Sequence, residues 1–193
     1  MHFLVMVIGE NIEEQMDPYY QDLEVDEYLV GDMSETDKER MMDYYKSKGF
    51  EFVTFDECYE ENGYDWDGGR CRKDEDGVWR EYSTYNQDAE WDWYEIGGRW
   101  AGRIVLKEGA EYKAPNFSWG WSKEDKKKVL KERRVDTALL KEIENTDCLS
   151  AYVILKDGVW HYMGDEDAKS EETKKLMADV TPETRITFVD CHM

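Results

Sequence analysis

The 193-residue chain contains no run of about 18 apolar residues, so no segment of it reads as a membrane span. Its opening, Met1-His2-Phe3-Leu4-Val5-Met6-Val7-Ile8, lacks the basic flank and small-residue cleavage site of an export signal and reads as a strand. The four cysteines (Cys58, Cys71, Cys148 and Cys191) form no CxxC pair and no regular spacing. Free thiols in a reducing cytoplasm are expected of them, and a zinc site is not. No Ser/His/Asp order, phosphate loop or metal quartet is present, so no catalytic residue, cofactor or metal is expected. Cations are scarce as well: 25 Lys/Arg stand against 46 Asp/Glu, a formal net charge of -21. Phosphate affinity is built from Lys and Arg, which argues against direct nucleic-acid binding, and the same field repels anionic membranes. Basic protein surfaces are attracted by it.

The acidity is uneven. Residues 1–100 carry 28 Asp/Glu against 9 Lys/Arg, whereas residues 101–193 carry 18 against 16. Apolar residues make up 40% of the chain and aromatics 14%, with 8 Trp and 13 Tyr, so a core of large rings is expected. Buried Trp and Tyr need partners for their N–H and O–H groups. The length suits a single domain, 1–193, with the weakly patterned residues 56–90 read as an acidic insertion. Two carboxylate clusters stand there, Asp65-Trp66-Asp67 and Asp74-Glu75-Asp76. Neither is followed by the bidentate Glu of a calcium loop, and Asp76-Gly77 reads better as a hairpin turn. Asp157-Gly158-Val159-Trp160 repeats the Asp76-Gly77-Val78-Trp79 tetrapeptide and predicts a second hairpin.

The densest stretch is Trp91-Asp92-Trp93-Tyr94-Glu95-Ile96-Gly97-Gly98-Arg99-Trp100. On a strand, Trp91 and Trp93 share one face, with Asp92 and Tyr94 on the other. Gly97 and Gly98 permit a corner or a close backbone approach, and Arg99 can stack on a ring or fork onto an anion. The block reads either as a core strand, in which truncating Trp93 costs about 3 kcal/mol, or as a ligand surface.

Elsewhere the pattern predicts a strand at 2–8 and a short extended piece within 23–30, with loop around it. A helix capped by Ser34 carries Met41, Met42, Tyr44 and Tyr45 as its apolar stripe and stops at Gly49. Phe50–Phe55 reads as a strand. A basic helix follows Ser122, and Leu139, Leu140 and Ile143 extend a helical stripe to Asn145. A strand over Cys148–Leu155, its return at Trp160–Met163, a helix over Ser170–Asp179 and a strand over Arg185–His192 complete the chain. The fold class is α+β, a mainly antiparallel sheet with helices packed on it, and a ferredoxin-like sheet is the first comparison. There the last strand lies antiparallel to the first. That would bring His2 near Asp190, Cys191 and His192, which serve either as a proton-transfer or metal site or as an exposed chain end.

The Trp/Gly-Gly-Arg-Trp block, preceded by Tyr85-Asn86, resembles an uncharacterised protein family associated with phages and prophages. Also similar are the opening strand, the Leu23-Glu24-Val25 segment, Gly158-Val159-Trp160-His161 and the terminal Val189-Asp190-Cys191-His192. The resemblance implies a setting, the cytoplasm of an infected or lysogenic bacterium, and no activity. In that setting the expected function is an acidic, anti-CRISPR-like inhibitor that mimics nucleic acid and binds a basic host protein which itself handles nucleic acid. Asp65, Trp66, Asp67, Asp74, Glu75, Asp76, Trp119 and Trp121 are the expected contact residues. The alternatives are a small-molecule or nucleotide site, or an enzyme, on Trp91, Trp93, Tyr94, Gly97, Gly98, Arg99 and Trp100, and a structural phage protein.

Overall fold

The computed structural model describes residues 1–163 and 166–193, with side chains outside 166–170. The chain forms two compact units, one of Met1–Leu23 with Asn86–Met193 and one of Glu24–Tyr85. The elements in order are β1 (His2–Ile8), α1 (Ile12–Met16), β2 (Tyr28–Asp32), α2 (Glu35–Ser47), α3 (Phe55–Asp67), β3 (Cys71–Lys73), β4 (Trp79–Ser83), β5 (Trp93–Ile96) and β6 (Ile104–Val105). There follow α4 (Lys123–Lys131), β7 (Arg134–Val135), β8 (Thr137–Leu139), β9 (Val153–Lys156), β10 (Val159–Tyr162), α5 (Glu166–Met177) and β11 (Arg185–His192). The class is α+β with mainly antiparallel sheets. No helix among the described residues is long and apolar enough to cross a membrane.

The larger unit is built on a sheet of order β10-β9-β1-β11-β5, with β8 also on the β11 edge. β1 is central because it is apolar on both faces, as a strand covered on both sides must be. It runs antiparallel to β11, pairing His2 with His192 and Ile8 with Ile186, and parallel to β9. Alternation sends Leu4, Met6 and Ile8 to one face with Ile154, Ile186 and Phe188. Val5 and Val7 go to the other, with Val153, Leu155, Val189 and Cys191. Trp91 and Met16 close over that second face. The Asp157-Gly158 turn joins β9 to β10 as expected, both residues having positive φ.

Several expectations fail in this unit. Residues 134–139 are extended, because Val135 pairs with Ile104 of β6 and Thr137 to Leu139 pair with β11. The helix capped by Ser122 stops at Lys131, and only a 3-10 turn, Leu140–Glu142, remains of its expected extension to Asn145. The strand expected from Cys148 begins at Val153, after a 3-10 turn over Thr146–Cys148. In addition, α1 lies in a stretch read as loop.

The smaller unit holds α2, α3 and the sheet β2-β4-β3. Ser34 accepts the Asp37 amide and Met41 and Tyr45 are buried from α2, as the pattern predicts, whereas Tyr44 of the same expected stripe is exposed. Phe50–Phe55 is not a strand. Thr54 accepts from the Glu57 amide while Glu57 accepts from the Val53 and Thr54 amides, a capping box that starts α3 at Phe55. The alternation of Phe50 and Phe52 masked that signal. Cys58, Tyr59 and Asn62 then form the inward stripe of α3, and Cys58 packs with Met41 and Tyr45. Thr54→Ala should cost about 1 kcal/mol. The check is hydrogen exchange, with faster exchange in α3 amides and unchanged protection in β1 and β11.

Candidate functional site

The strongest concentration of chemistry lies where β5 turns at Gly97-Gly98. Gly97 has φ +81° and Gly98 φ +59°, so both occupy the left-handed region open to glycine. Gly97 donates to Phe188 O (2.9 Å) and Gly98 to Asn116 O (2.9 Å). Two buried carboxylates fill the space where side chains would be: a Cβ on Gly97 would lie 2.3 Å from Asp136 Oδ2, and one on Gly98 2.6 Å from the Asp190 side chain. Asp136 accepts from the amides of Gly102 (2.7 Å) and Asn116 (2.6 Å). Asp190 Oδ2 accepts from the amide of Arg99 (2.9 Å). Burial pushes the Asp136 carboxyl up, although the two amide bonds oppose it.

The other oxygen of Asp190 leads to the second feature. His2 Nδ1 lies 2.8 Å from Asp190 Oδ1, and His192 Nδ1 lies 2.9 Å from Asp92 Oδ1. An ionised carboxylate only accepts, so opposite one the imidazole Nδ1 is the donor, which leaves Nε2 for another partner. The two imidazoles are cross-strand partners with ring centroids 5.0 Å apart. Trp93 stacks on His192 at 5.7 Å and meets the edge of His2 at 5.3 Å. Desolvation raises the Asp92 carboxyl, but the His192 hydrogen bond and charge outweigh it and hold Asp92 below its ordinary value. Burial pushes the Cys191 thiol up, making it a poor nucleophile on the opposite face of β11. No group of three or more metal-ligating side chains occurs among the described residues.

The sequence brought His2, Asp190 and His192 together correctly, but Asp92 and Asp136 were missed. Each is a carboxylate whose partner lies far along the chain, so only Asp92, inside the Trp block, carried any signal. The expectation that Trp91 and Trp93 share a face is wrong. A bend at Asp92 interrupts the alternation, so Trp91 is buried (7% exposed) and donates Nε1 to Met16 O, while Trp93 is 42% exposed. Trp93 is therefore not a core side chain. Tyr94 packs edge-on against Trp91, and Trp100 packs on the opposite core. Arg99 and Trp100 line a cleft of about 490 Å³ together with Trp121, whose Nε1 donates to Gly98 O. Trp119 is fully exposed.

The remaining expected contact residues lie in the smaller unit, and several are already engaged there. Arg80 forks onto Asp76 (2.9 and 2.6 Å) and reaches Asp74 (2.7 Å), which pins the carboxylates of the hairpin turn. Arg80 bonding and the Val78 amide hold Asp76 down at about 2. Asp67 accepts from Tyr59 and from the amides of Gly69 and Arg70, closing α3. Trp66 leans on Tyr44 and Tyr45. Asp65 and Glu75 are exposed and have no ion pair among the described residues.

Gly97→Ala should cost about 3 kcal/mol, because the new methyl meets a carboxylate fixed by two amides as well as an unfavourable φ. Trp91→Ala should cost about 3 to 5 kcal/mol and Trp93→Ala only about 1 kcal/mol. Chemical denaturation of the three variants checks the order. Set against known proteins, the chain matches no protein family, no curated protein and no solved structure, so the site is read from its geometry alone.

Proposed function

We propose that the protein is an acidic binding protein whose Glu24–Tyr85 unit engages a basic surface on another protein, of the kind that otherwise holds nucleic acid. The unit carries 19 Asp/Glu against 8 Lys/Arg, a net of -11 in 62 residues. The observation that carries the reading is the outward face of α3. Glu57, Glu60, Glu61, Tyr64 and Asp65 follow one another at helical spacing and are all exposed, Tyr64 to 80%. Glu60, Glu61 and Asp65 have no cation within 4 Å among the described residues, so their charge is presented outward. A row of unneutralised carboxylates around one exposed ring supplies both long-range attraction and a short-range anchor. In the phage setting that the sequence resemblance suggests, the partner would be a host factor that handles nucleic acid or defends against phage, and the protein would be its inhibitor.

Binding to such a basic protein should compete with DNA or RNA. Association should slow markedly from low to physiological salt, with a smaller change in dissociation. The triple variant Glu60→Gln, Glu61→Gln, Asp65→Asn should slow association, and Tyr64→Ala should speed dissociation, with melting midpoints near wild type. Equal affinity at physiological salt for a panel of unrelated basic proteins would refute a specific inhibitor.

The paired imidazoles favour a second reading, a small-molecule site that moves a proton. With Nδ1 fixed by Asp190 or Asp92, each Nε2 is oriented to accept or donate. A fragment screen read by histidine-ring NMR tests it. Hits should move the His2 and His192 resonances together, and should lose that effect in Asp92→Asn; binders that leave both rings unmoved count against it.

A further inference from the structure

The larger unit holds a cation that its own carboxylates do not neutralise. Arg103 is half-buried, and its Nε is buried with no hydrogen-bond partner. Its Nη2 reaches only Ser150 O, at a long 3.5 Å, and the guanidinium lies 5.3 Å from the Phe188 ring. No carboxylate lies within 4 Å of it among the described residues, although the chain has 46. Arg134, Lys156 and Arg185 of the same unit, also half-buried, are matched by Glu132, Asp179 and Glu10. Burial without a counter-charge penalises the guanidinium and pushes its pKa down. A partly desolvated, unpaired guanidinium is costly to a fold, and an anion from solution is what removes the cost.

The surroundings suit such an anion. Arg103 lines the cleft of about 490 Å³ together with Arg99, Trp100, Trp121 and Lys128. Arg99 and Lys128 likewise have no ion pair among the described residues. The cleft's two carboxylates are engaged, Asp125 accepting from Ser122 Oγ (2.6 Å) and Glu132 from Arg134 (2.6 Å). Three cations without an ion pair among the described residues and two tryptophans therefore line one cleft of a chain whose net charge is -21. We propose that this cleft binds a small organic anion, its carboxylate or phosphate on Arg103, Arg99 and Lys128, and its body against Trp100 and Trp121. The site is independent of the acidic face of α3 and of the paired imidazoles.

The test uses the full chain at constant ionic strength, titrated calorimetrically with inorganic phosphate, adenosine monophosphate and benzoate. At least one probe should bind with a dissociation constant below about 10 mM. Phosphate and the nucleotide binding without benzoate assigns a phosphoryl ligand, and benzoate alone assigns a carboxylate. Arg103→Gln should weaken binding about tenfold or more. Arg99→Gln and Lys128→Gln alter exposed side chains, so they should each weaken it several-fold without affecting folding. Cys148 lines the same cleft, while Cys58, Cys71 and Cys191 are buried, so bound anion should slow the alkylation of that one thiol. In the unliganded state Arg103→Met should melt at or above the wild-type midpoint, because it removes the unpaired charge. Absence of binding by all three probes would overturn the proposal. So would binding that Arg99→Gln and Lys128→Gln leave unchanged, or binding that leaves Cys148 unprotected.

Discussion

Two buried carboxylates anchoring backbone amides are the constraint on which the larger unit depends. Asp136 ties the amides of Gly102 and Asn116 together, and Asp190 ties the Arg99 amide to the imidazole of His2. A buried carboxylate without donors is strongly unfavourable, so each of these groups can stay in place only while the whole loop stays in place. The glycine pair follows from the same requirement. Any side chain at 97 or 98 would occupy the volume that Asp136 and Asp190 need, so the corner and the carboxylates specify one another.

The pairing of the two chain ends extends that constraint to the candidate site. β1 and β11 are neighbours along their full lengths, which sets His2 opposite His192 and puts Asp190 within reach of both the corner and an imidazole. Trp93, which turned out to face outward, then stacks on His192 in place of filling a core. A strand that is apolar on both faces over Leu4–Ile8 thus ends in a polar, partly open cluster, where the sheet's rigidity holds the rings in register.

Charge is handled differently in the two units. In the smaller one, Arg80 gathers Asp74 and Asp76 of the hairpin turn together with Asp32, so two of the expected contact carboxylates are internally bound. On α3 helical spacing sorts Glu60, Glu61 and Asp65 outward, away from the buried Cys58 and Asn62. In the larger one, the basic segment after Ser122 contributes Lys128 and Arg134 to a cleft that also receives Arg103. An overall charge of -21 therefore conceals one local surplus of cations.

Features that depend on a few neighbouring residues were legible in the sequence: the bounds of β1 and β11, the Ser34 and Ser122 caps, the Asp-Gly hairpins and the left-handed glycine corner. Each follows from local sterics or from a hydrogen bond spanning three or four residues. The α3 cap at Thr54 was equally local, but it lost to the stronger alternation just before it. Pairings across the chain were beyond local reading. Residues 134–139 became strands because β6 and β11 offered unpaired backbone there, overriding a helical side-chain pattern. In the same way, sequence determined that Trp91, Trp93, Asp136 and Arg103 would be present, but not their surroundings. Tertiary structure alone decided that the first ring is buried and the second is not, that the aspartate meets two amides, and that the arginine meets no carboxylate, because burial and pairing belong to the assembled neighbourhood and not to the residue.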